Sequence, residues 1–364
     1  MNFKCYTFKD LAEFRYGKMP QKSRLMEKGV YPVFSGYRYV GYYDEYNVEA
    51  NKLIVIARGV GGTGEVKITR EKCYLTNLSI VVDIKDESVV STTYLYYLFR
   101  VYNLRYLDSG SAQSQITISD LEKLQIMLPE ISVQKKIAIF FSNIDEKILV
   151  NMEINKNLEE QAQAIFNAWF VDLLPFNRKI PSDWKILKFA DIAELSAGGD
   201  KPAIVSETKS KECPYPIYAN GIAFNGLYGY TNIPRVKAES VTISARGTIG
   251  FVCLRNIPYV PIVRLITAIP KEHLVSAKYL YFWLKHIPIA GTGTTQQQLT
   301  IPAFKNTEIL VPPIDIIIEF TDKVSHLFNL RYLYETEIET LTSLRDALLP
   351  RLMSGELDVS NIEL

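Results

Sequence analysis

The sequence predicts an α+β protein in which two mixed, mostly β domains are separated by two long antiparallel helices that form a coiled coil, with internal pseudo-twofold symmetry. Three observations predict this. The second half of the chain repeats the first, each copy changes from short apolar runs to an unbroken helical period, and the two helical stretches carry apolar seams in the same register.

The repeat comes first, because a missed repeat misreads the whole fold. With a shift of 183 residues, GSAQSQITIS (110–119) falls on GTTQQQLTIP (293–302). Gly110, Gln113, Gln115, Thr117 and Ile118 then meet Gly293, Gln296, Gln298, Thr300 and Ile301, and residues 110–131 show eight identities in 22 positions. Slightly different shifts pair FKDLAE (8–13) with FADIAE (189–194) and YPVFSG (31–36) with YPIYANG (215–221). They also pair IARGVGGTGEV (56–66) with ISARGTIGFV (243–252), and TYLYYLFR (93–100) with KYLYFWLK (278–285). The order is the same in both halves, so a whole domain and its tail are duplicated.

Within each copy the β-rich part carries β-branched and aromatic runs such as LIVIARG and LSIVVDI, broken by Gly, Pro and Asn. One short helical stretch around Tyr94–Tyr102 interrupts the first. After LPEIS (128–132) the period becomes helical: Ile137, Phe141, Ile144, Ile148, Asn151, Asn155, Leu158, Ala162, Ile165 and Trp169 alternate spacings of 4 and 3. Phe320, Val324, Leu327, Arg331, Tyr334, Ile338, Leu341, Arg345, Leu348 and Leu352 repeat that register. Neither stripe can be buried by its own helix, and the simplest solution pairs the two. An antiparallel pair would give a dumbbell with similar heads at opposite ends. The expected domains are 1–130, a central helix 131–175, a second domain 176–313 and a C-terminal helix with tail 314–364.

Composition excludes several classes. Hydrophobic residues at 48% and charged residues at 22% describe ordinary globular chains, not disordered ones. No apolar run reaches the roughly 18–20 residues of a membrane span, and MNFKCYTFKDLAEF does not read as a signal peptide, so a cytoplasmic protein is expected. Cys5, Cys73, Cys213 and Cys253 form no CxxC pair, and His273, His286 and His326 stand at no metal-ligand spacing to them, so no metal site is expected. The Gly-rich GVGGTGEV (59–66) fits neither phosphate-binding fingerprint. No nucleophile–base set is suggested, and no NPPY-type or DPPY-type tetrapeptide is found. The residues point to a binding protein with no catalytic residues of its own.

The layout resembles the specificity subunit of type I restriction–modification systems. The resemblance is carried by LLPRLMSGELDV (348–359), LEEQAQAIFNAWF (158–170), IPSDWK (180–185) and PEISVQKKIA (129–138), and it covers essentially the whole chain. It implies that each β-rich domain is a target-recognition domain reading half of a bipartite double-stranded DNA site. It implies also that the helices act as spacer and docking surface for two modification subunits, which bind S-adenosylmethionine and methylate adenine. It implies further that restriction subunits working with ATP and Mg can join them, and that the specificity subunit itself holds no cofactor. Gln134, Trp169, Phe170, Leu349 and Leu352 become candidate partner contacts. The second helix begins PPIDIIIEF (312–320) and lacks a Gln matching Gln134, which weakens the expected contact there.

Base edges are read chiefly by Arg, Gln, Asn and Ser, while Lys and Arg hold phosphates. The candidate DNA-binding residues are Lys18, Lys22, Arg24, Tyr37, Arg58, Ser111, Gln113 and Gln115 in the first copy, and Lys201, Asn220, Arg246, Thr294, Gln296 and Gln298 in the second. Each has a plainer reading. The glutamines can cap turns, Arg58 and Arg246 can form structural ion pairs, and the lysines can be solvated. The net charge of +1 divides into +2 for residues 1–130, +5 for 181–313, −2 for 131–175 and −6 for 314–364, with two basic residues between. Basic heads suit DNA, and acidic helices suit a protein partner. The alternative is a non-catalytic, two-headed scaffold that binds no DNA.

Overall fold

The computed structural model describes residues 1–36, 38–59, 62–108, 114–289 and 298–360. The chain forms two compact units, one built from residues 1–153 with 335–364 and the other from 154–334. Four helices longer than two turns organise the described residues: α1 (Thr92–Val101), α2 (Ile131–Phe166), α3 (Ala277–His286) and α4 (Ile314–Met353).

In the first unit the apolar run Leu53–Ile56 is one of the two inner strands of a four-stranded antiparallel sheet. The order is Ala12–Tyr16, Ser79–Ile84, Leu53–Ile56, Val66–Ile68. The run is apolar at every position because both faces are covered. Leu53 and Val55 join the core with Tyr94 and Leu98 of α1, whereas Ile54 and Val81 pack with Val48, Cys73 and Leu75 on the other side. Burial there pushes the Cys73 thiol up to about 11. A three-stranded sheet (Arg38–Tyr43, Tyr31–Ser35, Tyr74–Leu75) completes the second layer. The short pair Lys4–Thr7 and Gln125–Leu128 brings the chain to α2.

The second unit repeats this order. Its four-stranded sheet runs Ala193–Ala197, Ile266–Pro270, Ser240–Ile243, Val252–Arg255. Its three-stranded sheet runs Leu227–Thr231, Tyr215–Tyr218, Val260–Pro261, and Lys185–Lys188 pairs with Glu308–Val311. Even the irregularity in the hairpin recurs, between Val33 and Phe34 and between Ile217 and Tyr218. Each short helix is capped by a serine, Ser91 accepting from the Tyr94 N–H and Ser276 from that of Tyr279.

Each unit holds its own antiparallel helix pairing. In the first, Asp145 meets Arg345 and Asn151 meets Glu337, so positions rise along α2 as they fall along α4. In the second, Glu159 meets Arg331 and Phe166 meets Phe320, in the same sense. The seam residues Ile137, Phe141, Ile144, Ile148, Asn151, Asn155, Leu158 and Ala162 are buried. Beyond them the buried residues are Phe166 and Phe170, one position later than the spacing predicts at Ile165 and Trp169. Successive steps of four carry the seam around the helix, and a π-helical turn over Asn167–Val171, closed by Asp172 N–H donating to the Asn167 carbonyl, accommodates them. No helix of the described residues is long and apolar enough to cross a membrane.

Candidate nucleic-acid interface

The same corner is built twice, once in each unit. In the first, the Ile116 N–H donates to the Ala57 carbonyl at 2.9 Å, and Arg58 and Gln115 form an antiparallel bridge. In the second, the Leu299 N–H donates to the Ala245 carbonyl at 3.0 Å, and Arg246 Nε donates to Gln298 Oε1 at 3.1 Å. The arginine of each A-R-G turn therefore stands beside the glutamine that the 183-residue shift had paired. In the first unit Asp108 orders the neighbouring backbone by accepting from the Gln115 N–H and the Ser114 hydroxyl. Arg58 Nε is buried without a hydrogen-bond partner among the described residues, a demanding position for a charged donor. Ser111, Gln113, Thr294 and Gln296 lie outside the described residues, as does Tyr37.

The remaining candidates sit in varied settings. Lys18 and Lys22 are exposed. Arg24 binds Asp44 at 2.5 Å and Glu45 at 3.3 Å and lies over the Tyr43 ring, and the guanidinium holds the Asp44 carboxyl below the usual range. Lys201 lies over the Tyr228 ring at 4.4 Å and donates to its hydroxyl. Asn220 uses its amide on backbone, donating to the Val263 carbonyl at 2.7 Å and accepting from the Ala245 N–H at 2.8 Å.

Gln134 is fully buried. Its Nε2 donates to the carbonyls of Val89 and Pro129, and its Oε1 accepts from the Ser91 N–H, so it straps the start of α2 to the cap of α1. At the corresponding position the second unit has Ile317, also buried, and Thr321 one turn later holds Ser276 at 2.8 Å. Phe170 lies in the core of the second unit, Leu349 and Leu352 in that of the first, and Trp169 is half-buried with Lys323 over its ring at 5.6 Å. The C-terminal signature closes on its own unit: Gly355 has φ +79° and sits so near Phe3 that a Cβ would lie 2.7 Å from its ring, and Asp358 binds the N-terminal ammonium.

One charged residue escaped the sequence reading. Arg255 is buried, with Nε donating to Thr242 Oγ1 at 2.9 Å and its guanidinium 3.6 Å from the Tyr218 ring centre. Its only outward sign in the sequence is a cation ending a strand-like run, VCLR (252–255). Among the described residues no group of three or more His, Cys, Asp or Glu side chains is placed to hold a metal ion.

The sequence profile of the family described as type I restriction modification DNA specificity domain matches residues 1–160 and again 181–342. The chain belongs to this family. A putative type I specificity subunit of Mycoplasma pneumoniae is 25% identical over 321 residues, covering 86% of this chain and 86% of that protein. The specificity subunit of the type I restriction enzyme MjaIX of Methanocaldococcus jannaschii is 27% identical over 312 residues, covering 77% of this chain and 72% of that protein. The crystal structure of the type I restriction–modification S subunit from M. genitalium shares the fold, with a TM-score of 0.70 over 96% of both chains at 20% identity. The two profile matches fall on the two copies of the repeat, so this specificity-domain family accounts for the duplication itself.

Proposed function

We propose that the chain is the DNA-recognition subunit of a type I restriction–modification complex, each β-rich head reading one half of a bipartite double-stranded site. The observation that carries this reading is the arginine–glutamine corner repeated in both units, Arg58 with Gln115 and Arg246 with Gln298. Arginine offers a bidentate fork to guanine and glutamine offers the matching pair to adenine, which suits groove readout by the heads. The subunit does no chemistry itself. Two modification subunits that bind S-adenosylmethionine and methylate adenine dock on the acidic helices, which set the half-site spacing. Restriction subunits using ATP and Mg can join this complex, in the cytoplasm. Lys18, Lys22 and Lys201 serve as phosphate contacts, and Trp169 as a partner contact, in this reading.

The test is co-expression with a type I modification subunit, followed by methylation mapping. A complex that methylates one bipartite sequence is expected. Arg246→Ala should then relax the sequence requirement in a single half-site by roughly 1–3 kcal/mol, the worth of one bidentate base contact. A complex that assembles and methylates with no sequence preference would sink the assignment.

A further inference from the structure

The two heads differ most visibly where a hairpin turns. In the first unit, strands Tyr31–Ser35 and Arg38–Tyr43 are joined by two residues, whereas in the second, Tyr215–Tyr218 and Leu227–Thr231 are joined by residues 219–226. At the tip of this longer loop Phe224 is 86% exposed, and Ile222 is 54% exposed. A lone exposed apolar residue is ordinary, but this one is held in a costly conformation. Phe224 and Asn225 both have left-handed backbones, at φ 49° and 54°, which non-glycine residues avoid.

The loop is held from several sides. The Ala219 N–H donates to the Gly226 carbonyl, the Asn225 N–H to the Ile222 carbonyl, and Arg255 to the Asn225 carbonyl at 2.7 Å. Gly226 has φ +80°, and a Cβ there would strike the Ala219 carbonyl oxygen at 2.4 Å. Asn220 ties the loop to the residues just before Arg246 and Arg264, and Val263 and Arg264 are themselves left-handed and exposed. Asn220 thus ties the loop that carries Phe224 to the backbone beside Arg264 and beside Arg246, which itself bonds Gln298. Arg255, which holds the Asn225 carbonyl, is a buried cation whose hydrogen-bonding partners are neutral. An unbalanced buried cation favours an anion at the surface above it.

We infer that Phe224 is an apolar wedge of the second head that packs against bases or sugars of the DNA, with Arg264 on a flanking phosphate. This rests on the DNA-recognition reading and adds to it a residue that distinguishes one half-site from the other. Rigid apolar side chains of this kind enter between base steps in duplex DNA, and the preset backbone avoids an ordering penalty on binding. Burying a phenylalanine corresponds to roughly a 10- to 100-fold gain in affinity.

The experiment uses the full complex with its modification subunits and a duplex carrying the mapped target, in competition binding at several salt concentrations. Phe224→Ala is expected to bind at least about tenfold more weakly with an unchanged salt slope, while Phe224→Trp retains affinity and Arg264→Ala flattens the slope by about one phosphate contact. A 2-aminopurine placed in the half-site read by the second head should brighten with the wild type and not with Phe224→Ala. Should the wild type show no sequence preference, the DNA-recognition reading itself falls. Should the wild type be selective and Phe224→Ala bind within twofold of it, the wedge alone is overturned. A Phe224→Ala chain that folds but no longer assembles with the modification subunit would mark the tip as a protein contact and overturn the wedge as well.

Discussion

Two carboxylates on α2 each anchor a short head helix to the long pair. Asp145 accepts from the Tyr97 hydroxyl at 2.9 Å and binds Arg100 of α1 and Arg345 of α4 at 3.2 and 2.8 Å. In the other unit Glu159 accepts from the Tyr281 hydroxyl and binds Lys285 of α3 and Arg331 of α4 at 2.5 and 3.0 Å. Burial pushes the Glu159 carboxyl up, yet Arg331, Lys285 and Tyr281 outweigh it and hold the group below its ordinary value. A depressed folded-state value contributes stability above the unfolded value of roughly 4.3, and that contribution is lost as pH falls through the lower folded value. Glu159→Gln should therefore lower stability by about 1–3 kcal/mol at pH 7, or roughly 2–4 °C of unfolding midpoint per kcal/mol, with the gap closing in acid. Equal midpoints at pH 7 would remove the clasp. The sequence hid these groups for a simple reason. Both carboxylates lie on one helix, so the 183-residue shift sets Asp145 on Phe328 and Glu159 on Thr342, and no repeated pair emerges. The Arg58/Arg246 and Gln115/Gln298 sets were legible because each head carries its own copy. Phe224 was not, because an aromatic in an apolar-rich stretch reads as core until its exposure is known.

Among the elements, the helices were the most legible, because nine consecutive spacings of 4 and 3 leave few other structures open. What spacing did not show was where the seam stops being a seam. Past Ala162 the side chains pack on their own head as well as on α4, Phe166 against Phe282 and Phe320 and Phe170 against Tyr279 and Phe320, and the π turn absorbs the change. The β elements were legible in outline and less so in extent, since strands of two to six residues, such as Tyr74–Leu75, are defined by their neighbours. Asn151 shows what a polar seam position does. It is fully buried and donates to Glu337 at 2.8 Å, while its Oδ1 is buried without a hydrogen-bond partner. A buried asparagine in a coiled coil gives up stability for a defined register. Asn151→Leu should raise the unfolding midpoint of the chain by a few degrees, about 1–2 kcal/mol, while loosening the α2–α4 register within the first unit. Disulfide trapping between cysteines placed at 148 and 341 against positions one turn away would read that register. A midpoint that falls would mean the amide contributes more than its unpaired oxygen costs.

For the molecule as a whole, near-neutrality conceals a division of labour: the heads are basic and the helical segments acidic. Under the DNA-recognition proposal, charge of one sign on the heads would supply the salt-dependent hold on phosphate, and charge of the other sign would keep the helices off the duplex. Each head also has its own core. The cluster around Leu53, Tyr94 and Phe141 closes within the first unit, and that around Val241, Tyr279 and Phe320 within the second. A head is joined to its helices through that shared apolar core, to which α2 and α4 contribute Phe141, Ile144 and Leu352, and through the two-stranded pair before the helix, the Gln134 strap and the Asp145 clasp. If recognition is likewise divided, residues 1–130 can be replaced by the first head of another family member that keeps Tyr97, Arg100 and the Ser91 cap. Methylation mapping of the resulting complex should then show one half-site changed and the other intact. Arg246→Ala in the exchanged chain should still relax the unchanged half alone. Alteration of both half-sites would mean that the heads read the DNA jointly, and the two-reader arrangement would have to be given up even though the fold is duplicated.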